Sequence, residues 1–112
     1  MPVVTVVAPP HPATRALLAA VADTLADTLG LADGDVIATS VASGEYVASG
    51  DGSNPDRSAG AWPVVTIHGS DRGAEAMTAA RDAAARAVAE WGRTHAIAIE
   101  GVWCEWLLPH PS

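Results

Sequence analysis

MPVVTVVA, residues 1–8, and WPVVTIHG, residues 62–69, are two versions of one segment, and matching them organises the whole chain. The first, Val3 to Val7, is a nearly unbroken β-branched run of the kind that forms a strand buried on both faces and parallel to a neighbour, and the second, Trp62 to His68, reads as a strand as well. The first is broken by Ala8-Pro9-Pro10-His11-Pro12 and followed, from Ala13 to Leu29, by apolar residues at helical spacing, with Leu17, Leu18, Val21, Leu25 and Leu29 on one face. Gly30 is a suitable stop, and Val36 to Val41 reads as a second strand. The second copy repeats the order: a helix from Gly73 to Trp91, with Met77, Ala80, Ala84, Val88 and Trp91 along one side, a stop at Gly92, then a strand or pair of strands from Ala96 to Leu108.

The halves therefore align as an internal duplication within a single domain of 112 residues. A first β-α-β unit is expected over 1–50, a linker loop rich in Gly, Ser, Asp and Asn over 51–61, and a second unit over 62–112. Gly30 pairs with Gly92, Ile37 with Ile97, Glu45 with Glu105 and Tyr46 with Trp106. A right-handed crossover makes each unit's strands parallel. Two units predict an α/β (α+β) fold, a four-stranded sheet with both helices on one face. The other face needs cover, and another subunit is its natural source.

Composition narrows the partners. The formal net charge is -7, there is no Lys, and the six cations are all Arg, so the basic stripe that nucleic acid requires is missing. Cys104 is the single cysteine, which excludes an intrachain disulfide and a thiolate metal cluster and suits a reducing cytoplasm. No basic segment precedes an apolar run at the start, and no stretch reaches the length of a membrane span. No membrane partner is expected, and the mature chain is expected to begin at or next to residue 1.

A strand immediately after Met1-Pro2, then helix, strand and an aromatic-bearing turn, all duplicated, resembles the tautomerase superfamily. That group includes 4-oxalocrotonate tautomerase, 5-carboxymethyl-2-hydroxymuconate isomerase, macrophage migration inhibitory factor and the 3-chloroacrylic acid dehalogenases. The resemblance covers the whole chain as architecture and rests, as motifs, on Pro2, on GEYVASG (44–50) and on TIHGSDRG (66–73). It implies a homotrimer, no cofactor or metal, a small organic acid as substrate, and Pro2 acting as catalytic base once Met1 is removed. The chemistry is sound on its own terms, because a secondary amine buried near cations is held toward its neutral form. A retained Met1 turns the same nitrogen into an amide, which neither takes nor gives a proton.

The resemblance also places Tyr46 beside the catalytic proline as a phenol donor, a position equally suited to a subunit contact. Trp103 and Trp106 would close a pocket or seal an oligomer interface. In the dehalogenase-like members two arginines follow the third strand. Here His68 stands where the first would be, and Arg72 lies within a residue of the second. Arg72 is thus expected to bind substrate carboxylate through its planar fork, or else simply to begin a helix. His68 is a second donor or proton carrier, or a strand-end histidine with a structural bond.

Other positions depart from the pattern. The arginine that 4-oxalocrotonate tautomerase carries after its first strand is replaced by His11-Pro12, with Arg15 a turn later, and its second arginine aligns with Asp35 or Val36. That enzyme's dicarboxylate site is not reproduced. Three functions follow: a proline-based tautomerase or isomerase, a hydratase or dehalogenase in which Glu100 or Glu105 activates water, and a non-catalytic trimeric binding protein that keeps Met1. A regulatory domain of ferredoxin-like type would share the two-unit plan. His11, His95 and His110 carry no assigned role.

Overall fold

The computed structural model describes residues 1–44, 47–50, 52 and 60–109. Its elements are β1 (Val3–Ala8), α1 (Thr14–Leu29), β2 (Ile37–Ala42), β3 (Val64–His68), α2 (Ala74–Thr94) and β4 (Trp103–Leu107). The sheet order is β2-β1-β3-β4, with β1 parallel to β2, β1 antiparallel to β3, and β3 parallel to β4. The strands of each β-α-β unit are therefore neighbours, and the two units meet back to back across β1 and β3. This order excludes the ferredoxin-like arrangement, whose β-α-β units are split by an intervening strand.

Alternation along the central strands decides where the core lies. Val4 and Val6 of β1 and Val65 and Ile67 of β3 are fully buried, packed with Leu17, Val21 and Leu25 of α1 and Ala80, Ala84 and Val88 of α2. The intervening residues face the other way. Val3, Ile37, Val41, Trp103 and Leu107 are between 39% and 62% exposed. A strand buried on both faces was expected at Val3–Val7, but a single chain covers only the helix side. No described helix is long and apolar enough to cross a membrane.

Helix α1 ends as expected. Gly30 adopts a left-handed φ of 67°, and the Leu31 amide reaches back to the Ala26 carbonyl at 2.8 Å, closing the turn as a Schellman motif. The expected stop at Gly92 is corrected: α2 runs through it to Thr94. Gly92 is buried inside the helix because Ile99 packs directly on it, and a Cβ there would overlap the Ile99 Cδ1 atom.

The duplication is visible in the backbone, with one change of register. The Pro2 carbonyl accepts the Ile37 amide at 3.2 Å, and the Pro63 carbonyl accepts the Trp103 amide at 3.0 Å. Val3 lies opposite Ile37, and Val64 opposite Trp103. The structural counterpart of Ile37 is therefore Trp103, not Ile97, and Trp106 corresponds to Ser40 rather than to Tyr46. Ile99 instead forms an isolated parallel bridge to Ala61, closed by the Glu100 amide on the Ala61 carbonyl at 3.0 Å.

Candidate functional site

Because β1 and β3 run antiparallel, the start of one adjoins the end of the other. Val3 lies opposite His68, so Pro2 and His68 share one end of the sheet. The Pro2 side chain is fully buried, Met1 before it is 71% exposed, and His68 is exposed. The chain leaves His68 through a turn held on both sides. The Gly69 amide donates to the Leu107 carbonyl at 3.2 Å, and the Trp106 Nε1 hydrogen is donated to the Gly69 carbonyl at 3.3 Å. The Trp106 ring lies so close that a Cβ on Gly69 would stand 2.7 Å from its Cζ2 atom.

Two residues further on, the Asp71 carboxylate accepts the Gly73 amide at 2.8 Å and so organises the entry to α2. Between them, Arg72 is half-buried, and its Nε atom is buried without a hydrogen-bond partner. A buried guanidinium donor left open is a group that an anionic oxygen would satisfy.

Four of the expected residues, Pro2, His68, Arg72 and Trp106, thus belong to one end of the sheet or to the turn that leaves it. Trp103 does not join them. It is paired with Val64 at the opposite end and projects from the open face, largely exposed. Tyr46 lies outside the described residues. Of the two glutamates, Glu100 is engaged, accepting the Gly60 amide at 3.1 Å and the Trp62 Nε1 hydrogen at 3.3 Å. Glu105 sits mid-strand opposite Thr66. Cys104 is half-buried on the helix side, and burial pushes its thiol up to about 11.

The far end of the sheet holds a cluster not legible from sequence. The His11 ring meets Trp91 and His95 edge to face, and Trp91 and His95 lie tilted against each other, with centroid separations of 5.2 to 5.5 Å. The Ala13 peptide ties two of them together: its amide donates to His11 Nδ1 at 2.9 Å, and its carbonyl accepts the Trp91 Nε1 hydrogen at 3.1 Å. Two hollows of about 160 and 150 Å³ flank the Pro9-Pro10-His11 segment, and neither includes Pro2. The only local signal was Trp91 and His95 one turn apart on a helix; His11 joins them through a contact across most of the chain.

No protein-family model matches the sequence, and no curated relative matches it. Solved structures do match. A malonate semialdehyde decarboxylase inhibited by 3-bromopropiolate superposes with a TM-score of 0.71 at 18% identity, over 97% of this chain and 84% of that one. A fused 4-OT described as a symmetric trimer gives 0.70 at 19% identity, over 96% and 85%. The MIF2 protein of Leishmania major gives 0.69 at 16% identity, over 100% and 92%. At these identities the likeness is one of fold.

Proposed function

We propose that this chain, which has the fold of the tautomerase superfamily, is a cofactor-independent tautomerase or isomerase acting on a small enolisable or unsaturated 2-oxo or 2-hydroxy acid. Pro2, freed as a secondary amine by removal of Met1, is the general base. The observation that carries this reading is the burial of Pro2 at the end of the sheet where β3 delivers His68 and the Arg72 turn. A buried amine is held toward its neutral, proton-accepting form. Arg72 binds the substrate carboxylate, which supplies the partner that its Nε lacks. Pro2 takes a proton from carbon, the developing enolate oxygen is polarised by His68 and Tyr46, and Pro2 returns the proton at the second position.

The site is completed in a homotrimer. The apolar residues on the open face of the sheet support this assembly, since covering them removes exposed Ile, Val, Leu and Trp side chains from water. Trp103, remote from its own chain's Pro2, then serves a neighbouring subunit, as a wall of its pocket or a seal of the interface. The protein acts in the cytoplasm, which suits its lone thiol. Hydration or dehalogenation ranks below isomerisation, because Glu100 is already engaged and Glu105 lies mid-strand.

The test is the intact mass of untagged protein, followed by ketonisation assays on phenylpyruvate-like and 2-hydroxydienoate acids. The expected result is a chain lacking Met1 whose activity falls at least about a hundredfold in Pro2→Ala and declines as pH drops through the proline pKa. Loss of activity as pH rises through that pKa would instead identify protonated Pro2 as an acid, the hydratase-like reading. A chain that keeps Met1 and is inert toward these acids would overturn catalysis and leave a trimeric ligand-binding protein.

A further inference from the structure

The back-to-back duplication gives the second half a counterpart of the Pro2 end. Pro63 is the second-half equivalent of Pro2 and is likewise fully buried, and the β1–α1 connection carrying His11 stands near it as the Gly69–Arg72 turn does near Pro2. Here the structure leaves space. A hollow of about 150 Å³ is walled by Ala61, Pro63, Trp91, Ile97, Ile99 and His11 among others. That is the size of an apolar cavity known to accept benzene.

We propose that this hollow is a binding site for one small aromatic ring carrying a hydrogen-bond acceptor, a molecule of the size and chemistry of phenol. The walls are apolar apart from an imidazole, the composition expected of a small-ligand pocket. They are also held in place before any ligand arrives. Ala13 anchors both His11 and Trp91, the Trp91 carbonyl is bonded to His95 Nδ1 at 3.1 Å, and Gly92 lets Ile99 close against α2. Such preorganisation lowers the entropic cost of binding.

The hydrogen bond at His11 specifies the ligand's polar group. An amide N–H can only donate, so His11 Nδ1 carries a lone pair and the ring's proton is on Nε2. Among the described residues no acceptor is bonded to that Nε2–H. A phenolic or carbonyl oxygen would take it, with the ring laid among Trp91, Pro63 and the two isoleucines. Ala8, Pro63 and Val65 alternate onto the helix side of the sheet, so covering the opposite face in a trimer leaves these walls unchanged. The site needs neither Pro2 nor its amine.

The experiment is a titration of the full-length ¹⁵N-labelled protein with phenol, read at single residues. The expected result is saturable movement of the Trp91 indole and Ala13 amide signals while the Trp106 indole stays in place. Ala61→Leu, which fills the hollow, should abolish the movement; if that variant fails to fold, Ile99→Phe serves the same purpose. His11→Phe, which keeps a ring in the wall and removes the donor, should weaken phenol about tenfold, the loss of one hydrogen bond, and leave benzene binding within about twofold. Absence of saturable shifts at Trp91 and Ala13, or their persistence in a folded cavity-filled variant, would overturn the site. Phenol affinity unchanged in His11→Phe would overturn the acceptor requirement.

Discussion

The indole of Trp106 rests on Gly69 and donates its Nε1 hydrogen to the Gly69 carbonyl at 3.3 Å. This contact joins β4 to the turn that follows His68, and the turn carries Arg72. A side chain expected to close a pocket or seal an oligomer interface thereby braces the turn that carries Arg72. Gly69 is needed for the same reason, since any Cβ there would meet the indole ring.

Trp106→Phe keeps a ring over Gly69 and removes the donor. It should cost about 1 kcal/mol of stability and let the 69–73 turn loosen. Steady-state kinetics should then show KM for the acid substrate raised severalfold with kcat nearly unchanged, alongside a thermal midpoint lowered by a few degrees. An unaltered KM in a variant with the lowered midpoint would mean that the brace does not reach Arg72.

Gly92→Ala should destabilise the fold, against the helix propensity that favours Ala by about 1 kcal/mol. The new methyl would collide with Ile99, and overpacking of this kind costs about 1–3 kcal/mol. Denaturant unfolding is the measurement, and Ile99→Val in the same chain should recover part of the loss. A stabilised Gly92→Ala variant would contradict the packing described.

Sedimentation equilibrium should give three times the 11.4 kDa chain mass for the wild type. Trp103→Glu and Val41→Asp both place a carboxylate on the open sheet face, where burial against another subunit would be costly. Each should shift the protein toward monomer with its helical circular dichroism retained. A wild type that is monomeric at micromolar concentration would sink the trimer.

Cys104 should be a sluggish nucleophile. Burial raises its thiol from 9.0 to about 11, partly offset by Arg81 and reinforced by Asp82 and Glu105. The folded state therefore holds the thiol proton more tightly than the unfolded state. Its contribution to stability is complete below pH 9 and is lost as pH rises toward 11. Denaturation midpoints should fall more across that window for the wild type than for Cys104→Ala, and alkylation at pH 8 should be slow until the protein unfolds. Equal pH dependence in both chains would refute the raised thiol.

Much of the architecture was readable without coordinates, because it rests on local rules. Alternating Val4, Val6 and Val65, Ile67, the periodic Leu17, Val21 and Leu25, and the left-handed cap at Gly30 all express backbone geometry within a few residues. Position along the last strand was not readable. Residues 96–102 and 103–107 are both strand-like, and the choice falls to Trp103 through its bond to Pro63 and to Ile99 through its bridge to Ala61. Gly92 misled for a related reason: a glycine near a helix end resembles a stop until the residue packed on it is known.

The sequence by itself determined the two β-α-β units, their helix-covered face and the apolar character of the face left open, since side-chain periodicity and turn chemistry need no distant partner. The tertiary structure alone decided which candidate groups share a neighbourhood. Antiparallel pairing of β1 with β3 brings Pro2 and His68 to one end of the sheet, parallel pairing of β3 with β4 sends Trp103 to the other, and packing across that far end gathers His11 onto Trp91 and His95. Strand direction and register are settled by contacts between residues dozens of positions apart, and no local pattern encodes them.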